Sequence, residues 1–105
     1  MAAILFVRIK TDVEFEELER RMLERLPQFR EVPGLIQKIY ARDVVTGDVC
    51  GIYFFEDASA LEAFRETELA RTIPSAYEAT DIQRNIFDVL CPLYPDRGPF
   101  AEKSG

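Results

Sequence analysis

The chain has 105 residues, 48% apolar and 30% charged, with five Gly and six Pro, which is the length and make-up of one folded domain rather than a disordered or repetitive chain. Nineteen acidic residues outnumber 13 basic ones for a net charge of −6, so nucleic acid and anionic membrane surfaces are unfavourable partners. There is no His, which excludes serine–histidine catalysis and histidine-ligated haem and removes the commonest metal ligand, so no metal site is expected.

From Ala3 to Lys10 the run is β-branched and aromatic, as a first strand should be. Thr11-Asp12-Val13-Glu14 has the pattern of a capping box. Behind it Phe15, Leu18, Met22, Leu26 and Phe29 recur at helical spacing, and the Glu/Arg run from Glu14 to Arg25 reads as the solvated face. Pro27 predicts an end or a kink. Val32-Pro33-Gly34 marks a turn before a second strand, Leu35 to Asp43, and Val44 to Gly47 form a tight connection to a third, Asp48 to Glu56. Asp57 caps a second helix carrying Leu61 and Phe64, and Thr67 caps a short turn with Leu69 and Ile73. Ser75 to Thr80 reads as irregular, Ile82 to Leu93 as the last strand, and residues 95–105 as a flexible tail after a single domain over 1–94.

Strand, helix, strand, strand, helix, strand closes most simply into an α+β, ferredoxin-like βαββαβ sandwich: one four-stranded antiparallel sheet with both helices on one face. The strands are apolar on both parities, yet helices cover only one face, so a second copy of the same sheet is the economical partner. Cys50 and Cys91 sit in apolar runs without a CxxC partner, which reads as two buried, reduced thiols of a cytoplasmic protein. Neither a signal peptide nor a membrane-spanning stretch is apparent.

Val32-Pro33-Gly34-Leu35, then Gly51-Ile52-Tyr53-Phe54-Phe55-Glu56-Asp57 leading into Ala60-Leu61-Glu62-Ala63-Phe64, together with Phe87-Asp88-Val89 and Pro92-Leu93, resembles the dimeric α/β-barrel superfamily, and within it the YdhR-type monooxygenase-like proteins. The resemblance implies a homodimer with sheets face to face and a pocket between sheet and helices. It also implies oxidation of a small aromatic, phenol- or quinol-like ligand by molecular oxygen with no cofactor. Three positions depart from the aromatic-oxidising relatives: Phe55 stands where they carry Trp, Gly51 where they carry Asn, and Leu61 where they carry Tyr. The His of the haem-degrading branch has no counterpart.

A four-residue loop puts Lys38 opposite Tyr53, Tyr40 opposite Gly51 and Ile36 opposite Phe55. Ile36, Lys38, Tyr40, Gly51, Tyr53 and Phe55 then share one face, which mixes aromatic rings with polar tips and is the expected ligand pocket. Ile39, Ile52 and Phe54 belong to the apolar opposite face, the expected dimer interface. Gly51 is expected to leave an open space above Tyr40, with Lys38, Tyr40 and Tyr53 as the catalytic candidates. Arg8, Arg65 and Arg84 are candidates to neutralise an anionic ligand. Two other functions fit the same residues: a non-catalytic ligand-binding or interaction homodimer, and a cofactor-free isomerase moving a proton through Lys38 or Tyr53.

Overall fold

Ala3, Leu5, Val7 and Ile9 are all buried while most residues between them are half-covered, so β1 (Ala3–Thr11) turns one parity into the core. The computed structural model describes residues 1–96 and the backbone of Gly98 and Pro99. β2 (Leu35–Arg42), β3 (Val49–Phe55) and β4 (Ala79–Asp88) join β1 in an antiparallel sheet of order β2-β3-β1-β4. Two helices, α1 (Phe15–Arg30) and α2 (Ala58–Arg65), cover one face, where Leu18, Met22, Phe29, Leu61 and Phe64 close on the buried side of β1 and β3. Single turns α3 (Glu68–Arg71) and α4 (Ile73–Ala76) deliver Ile73 and Tyr77 to the same core. This is the four-stranded ferredoxin-like sandwich that the element order demands.

Several local expectations are corrected. Thr11 is not a helix cap: its hydroxyl donates to the Tyr77 carbonyl (2.8 Å) and accepts from the Val13 N–H (3.1 Å), and the helix starts after Glu14 instead. The turn competes for the same oxygen and holds it. Pro27 lies inside α1, which continues to Arg30; Pro27 is exposed, so water can reach the carbonyl that its missing N–H leaves free. The last strand begins at Ala79 and ends at Asp88, earlier than expected at both ends, after Glu78 turns the chain with φ 49. Asp57 and Thr67 do cap their helices, accepting from Ala60 and Ala70 N–H.

Beyond β4, β5 (Leu93–Tyr94) pairs with β6 (Gly98–Pro99) across a turn at Pro95 and Asp96, so the expected tail begins as a small hairpin, and its residues 97 and 100–105 lie outside the described residues. The opposite face of the sheet carries Ile4, Phe6, Ile39, Ile52, Phe54 and Phe87, aligned by the strand register, and among the described residues no helix lies over it. At its edge Arg8 is held by Asp43 (3.1 Å) and Asp48 (3.2 Å). Both cysteines are free thiols, as expected, but only Cys50 is buried; Cys91 is exposed. Among the described residues no helix is long and apolar enough to cross a membrane.

Candidate active site

The hairpin sets Lys38 opposite Tyr53 and Tyr40 opposite Gly51, as the loop length requires. One pairing fails. Leu35, not Ile36, lies opposite Phe55, because the register shifts between Leu35 and Gln37 and leaves Ile36 as the extra residue of a bulge, 66% exposed. Phe55 is fully buried, stacked against Tyr53 (centroids 6.5 Å apart) and tilted on Phe64 (5.5 Å), so it forms the closed end of the aromatic layer. Lys38, Tyr40, Gly51 and Tyr53 remain together on the helix side.

Lys38 occupies the centre. Its Nζ lies 3.8 Å from the Tyr40 ring centroid, 3.9 Å from Tyr53 and 4.6 Å from Phe29. Among the described residues no carboxylate reaches ion-pair distance of it. Burial, reinforced by the positive charge of Arg25, presses the amine down to about 7. The same burial pushes the Tyr40 and Tyr53 phenols well above their ordinary value, and Tyr40 further through its hydrogen bond with the Tyr77 hydroxyl (3.4 Å). At neutral pH the phenols keep their protons while the amine is divided between its two forms, so the group able to take a proton here is Lys38.

The space expected above Tyr40 is taken. A Cβ at Gly51 would come within 3.1 Å of Tyr53 Cε1 and 3.2 Å of Lys38 Nζ, so the glycine makes room for the ammonium and the phenol edge. What stays empty between the rings is a cavity of about 20 Å³, enough for a single water. Across Met22, Tyr40 and Val49 lies an outward crevice of about 220 Å³ between α1 and β2, walled also by Phe15 and Leu23. Larger clefts, about 670 Å³ beside the Asp43–Gly47 loop and about 490 Å³ around Gly34, lie away from these rings.

Two members of the site were not foreseen. Tyr77 is fixed by its own backbone: Thr11 donates to its carbonyl, and Arg21 donates to the neighbouring Ala76 carbonyl (3.1 Å). Arg25, assigned to the solvated face, instead stacks over Tyr77 (5.5 Å) and Phe29 (5.7 Å) and donates to the Leu69 carbonyl (3.0 Å). The signal was present, since Leu18, Met22, Arg25 and Phe29 share helical spacing as well as Leu26 does. Two of the arginines singled out for an anion are placed elsewhere, Arg8 on the opposite face and Arg65 paired to Glu62 (3.1 Å) on α2; Arg84, exposed on edge strand β4, lies opposite Val7 on the helix side, and its charge reaches Tyr53.

The family model described as "Putative mono-oxygenase ydhR" matches residues 4–94. Among curated proteins none matches the sequence. The fold is similar to that of SnoaB, a cofactor-independent oxygenase from Streptomyces nogalater, at 13% identity over 85% of this chain and 93% of that one, with a TM-score of 0.70. A "putative antibiotic biosynthesis monooxygenase" from Deinococcus radiodurans aligns over 90% of this chain and 97% of its own at 9% identity and a TM-score of 0.70. One of the same description from Caulobacter crescentus aligns over 85% and 90% at 15% identity and a TM-score of 0.70. At these identities the likeness carries the fold and nothing finer.

Proposed function

Since the chain belongs to the ydhR family, we propose that it is a cofactor-independent monooxygenase acting on a small phenol or hydroquinone in the chamber between sheet and helices. The observation that supports this most directly is Lys38, an amine held near 7 over two phenol faces without a carboxylate. In this reading the neutral amine takes the substrate's phenolic proton, and the resulting phenolate supplies the electrons that oxygen accepts. Oxygen adds to a hydrogen-bearing ring carbon ortho or para to the phenolate (the ortho carbon in a hydroquinone, whose para carbon already carries oxygen). The hydroperoxide gives up that hydrogen and loses water to leave a quinone, so one phenol and one O₂ become one quinone and one water. Tyr40, Tyr53 and Tyr77 then act as hydrogen-bonding walls that exclude water and steady the developing charge. The chain works as a homodimer, with Ile39, Ile52 and Phe54 of the uncovered sheet face meeting the same face of a second copy.

Oxygen consumption with a panel of phenols and fused-ring hydroquinones tests the reaction. Turnover that falls at least tenfold in Lys38→Met supports it, and no uptake with any of them overturns it. A second reading, a non-catalytic binding or interaction dimer, is favoured by the inner cavity of about 20 Å³. Ligand-induced rises in melting temperature without oxygen uptake select that reading.

A further inference from the structure

Among the described residues one buried side-chain nitrogen has no hydrogen-bond partner, the Nε of Arg25. Such an N–H is costly to leave unmatched, the more so on a charged group, and calls for an explanation. Arg25 flanks the Phe29 ring that Lys38 also flanks, and neither cation has a carboxylate at ion-pair distance among the described residues. Two cations and three phenol hydroxyls therefore converge on one aromatic chamber, and no carboxylate lines its inner cavity among the described residues. In a chain of net charge −6 that arrangement is the opposite of the bulk surface.

We propose that the chamber takes its ligand as an anion, an aromatic ring bearing a carboxylate, whose oxygens accept from Arg25 Nε and pair with the Lys38 ammonium while the ring lies along Tyr40. The inference rests on the chamber being the binding site of the reading above. A guanidinium fork matches a carboxylate in geometry as well as charge. The crevice of about 220 Å³ beside Tyr40, walled by Phe15, Met22, Leu23 and Val49 and carrying the opposite charges of Glu19 and Arg42, exceeds the roughly 150 Å³ that holds a benzene ring. Lys38 stands on the edge strand β2 with a flexible stem, so its ammonium can yield the place above Gly51 and stay beside the incoming charge.

Proton uptake distinguishes this arrangement from simple filling of space. The groups around Lys38 are Arg25 from α1, Tyr40 on β2, Tyr53 and Cys50 on β3, and Tyr77 after α4, while Glu19 of α1 and Arg42 of β2 line the adjoining crevice. Burial holds Tyr40, Tyr53 and Cys50 in their protonated forms, so the lysine is the group that responds. An anion beside it draws the amine back from about 7 toward its ordinary 10.5, so binding takes up a proton at a pH between the two.

The test is calorimetry of the full chain with 4-hydroxybenzoate and with the neutral 4-hydroxybenzamide, in two buffers of different ionisation enthalpy. The acid is expected to bind at least tenfold more tightly than the amide. It should take up more than half a proton per ligand at about pH 8 and almost none at about pH 6. Arg25→Gln should bring the acid down to the level of the amide, and Arg25→Lys should restore part of the preference. Equal affinities, failure of the acid to bind at millimolar concentration, or binding without proton uptake at pH 8 would each overturn the proposal and leave a water as the partner of Arg25. Tight acid binding with no oxygen consumed removes the oxygenase reading and leaves this one standing; oxygen uptake with neutral phenols and no preference for the acid does the reverse.

Discussion

Replacing Lys38 by Met keeps the volume and the stem but removes the amine from the aromatic chamber. In the folded protein that amine lies near 7, whereas in the unfolded chain it has its ordinary value of 10.5. Between those values the unfolded state holds a proton that the folded state has lost, so the wild type gains stability as pH rises through the window. Below about pH 7 both states are protonated and the penalty of the buried charge is fully present. From about pH 6 to 9.5 the linkage amounts to at most roughly 3 kcal/mol, at about 1.4 kcal/mol per pH unit. Three ring faces at 3.8 to 4.6 Å stabilise the ammonium and reduce this, so a gain of about 2 kcal/mol is expected. Lys38→Met should show no such gain, and should be more stable than wild type at pH 6 with the advantage shrinking by pH 9.5. Urea unfolding followed by circular dichroism, at one fixed protein concentration, measures both slopes. The upper limit stays below pH 10 because tyrosines with raised values then pull stability the other way. Parallel pH profiles for the two proteins would refute the claim that Lys38 is a desolvated, uncompensated amine.

Other outcomes follow from particular contacts. Phe54→Glu places a charge in the middle of the uncovered sheet face and should convert a dimer into a monomer of 12.1 kDa by light scattering; an unchanged mass would place the interface elsewhere. Gly34→Ala should cost about 3 kcal/mol or more, because φ is +79 and the new Cβ would lie 2.5 Å from that of Ala60. Gly47→Ala, with φ +82 but nothing within 4 Å, should cost only about 1 kcal/mol, and equal losses in thermal melts would contradict the packing argument. Arg25→Leu removes a buried N–H without a partner together with a charge, so stability should change by less than about 1 kcal/mol or rise. A loss above about 3 kcal/mol would instead make the Leu69 contact a structural clamp.

The hairpin register was readable because a four-residue loop and a period of two leave no freedom over Lys38, Tyr40, Gly51 and Tyr53. It ceased to be readable at Ile36, since a bulge inserts one residue and a single sequence carries no mark of where parity changes. The capping pattern at Thr11 misled for a related reason: one hydroxyl has several local backbone partners, and distant Tyr77 decided between them. Helical spacing admits either Arg25 or Leu26 toward the core beside Met22 and Phe29. The simple preference for burying apolar side chains picks Leu26, yet Leu26 is 36% exposed and Arg25 is turned against the rings.

That inversion is informative about the site. A leucine at position 25 would fill the same stripe without desolvating a charge, and a methionine at position 38 would fill the hairpin side of the chamber equally well. Both cations lie where no carboxylate among the described residues offsets them, while Arg8, Lys10, Arg20, Arg21, Arg65 and Arg71 all have acidic partners on the surface. Arg30, Arg42 and Arg84 also have no carboxylate at ion-pair distance among the described residues, but all three are exposed to water; what is particular to the aromatic chamber is uncompensated charge withdrawn from solvent. Burial there lowers the amine and raises the phenols together, so proton acceptor and proton donors are separated by their surroundings rather than by their ordinary acidities. Such a chamber gains most from a ligand that brings a negative charge with it, or generates one by giving up a proton, which ties the chemistry of the proposed reaction to the stability that the fold forgoes.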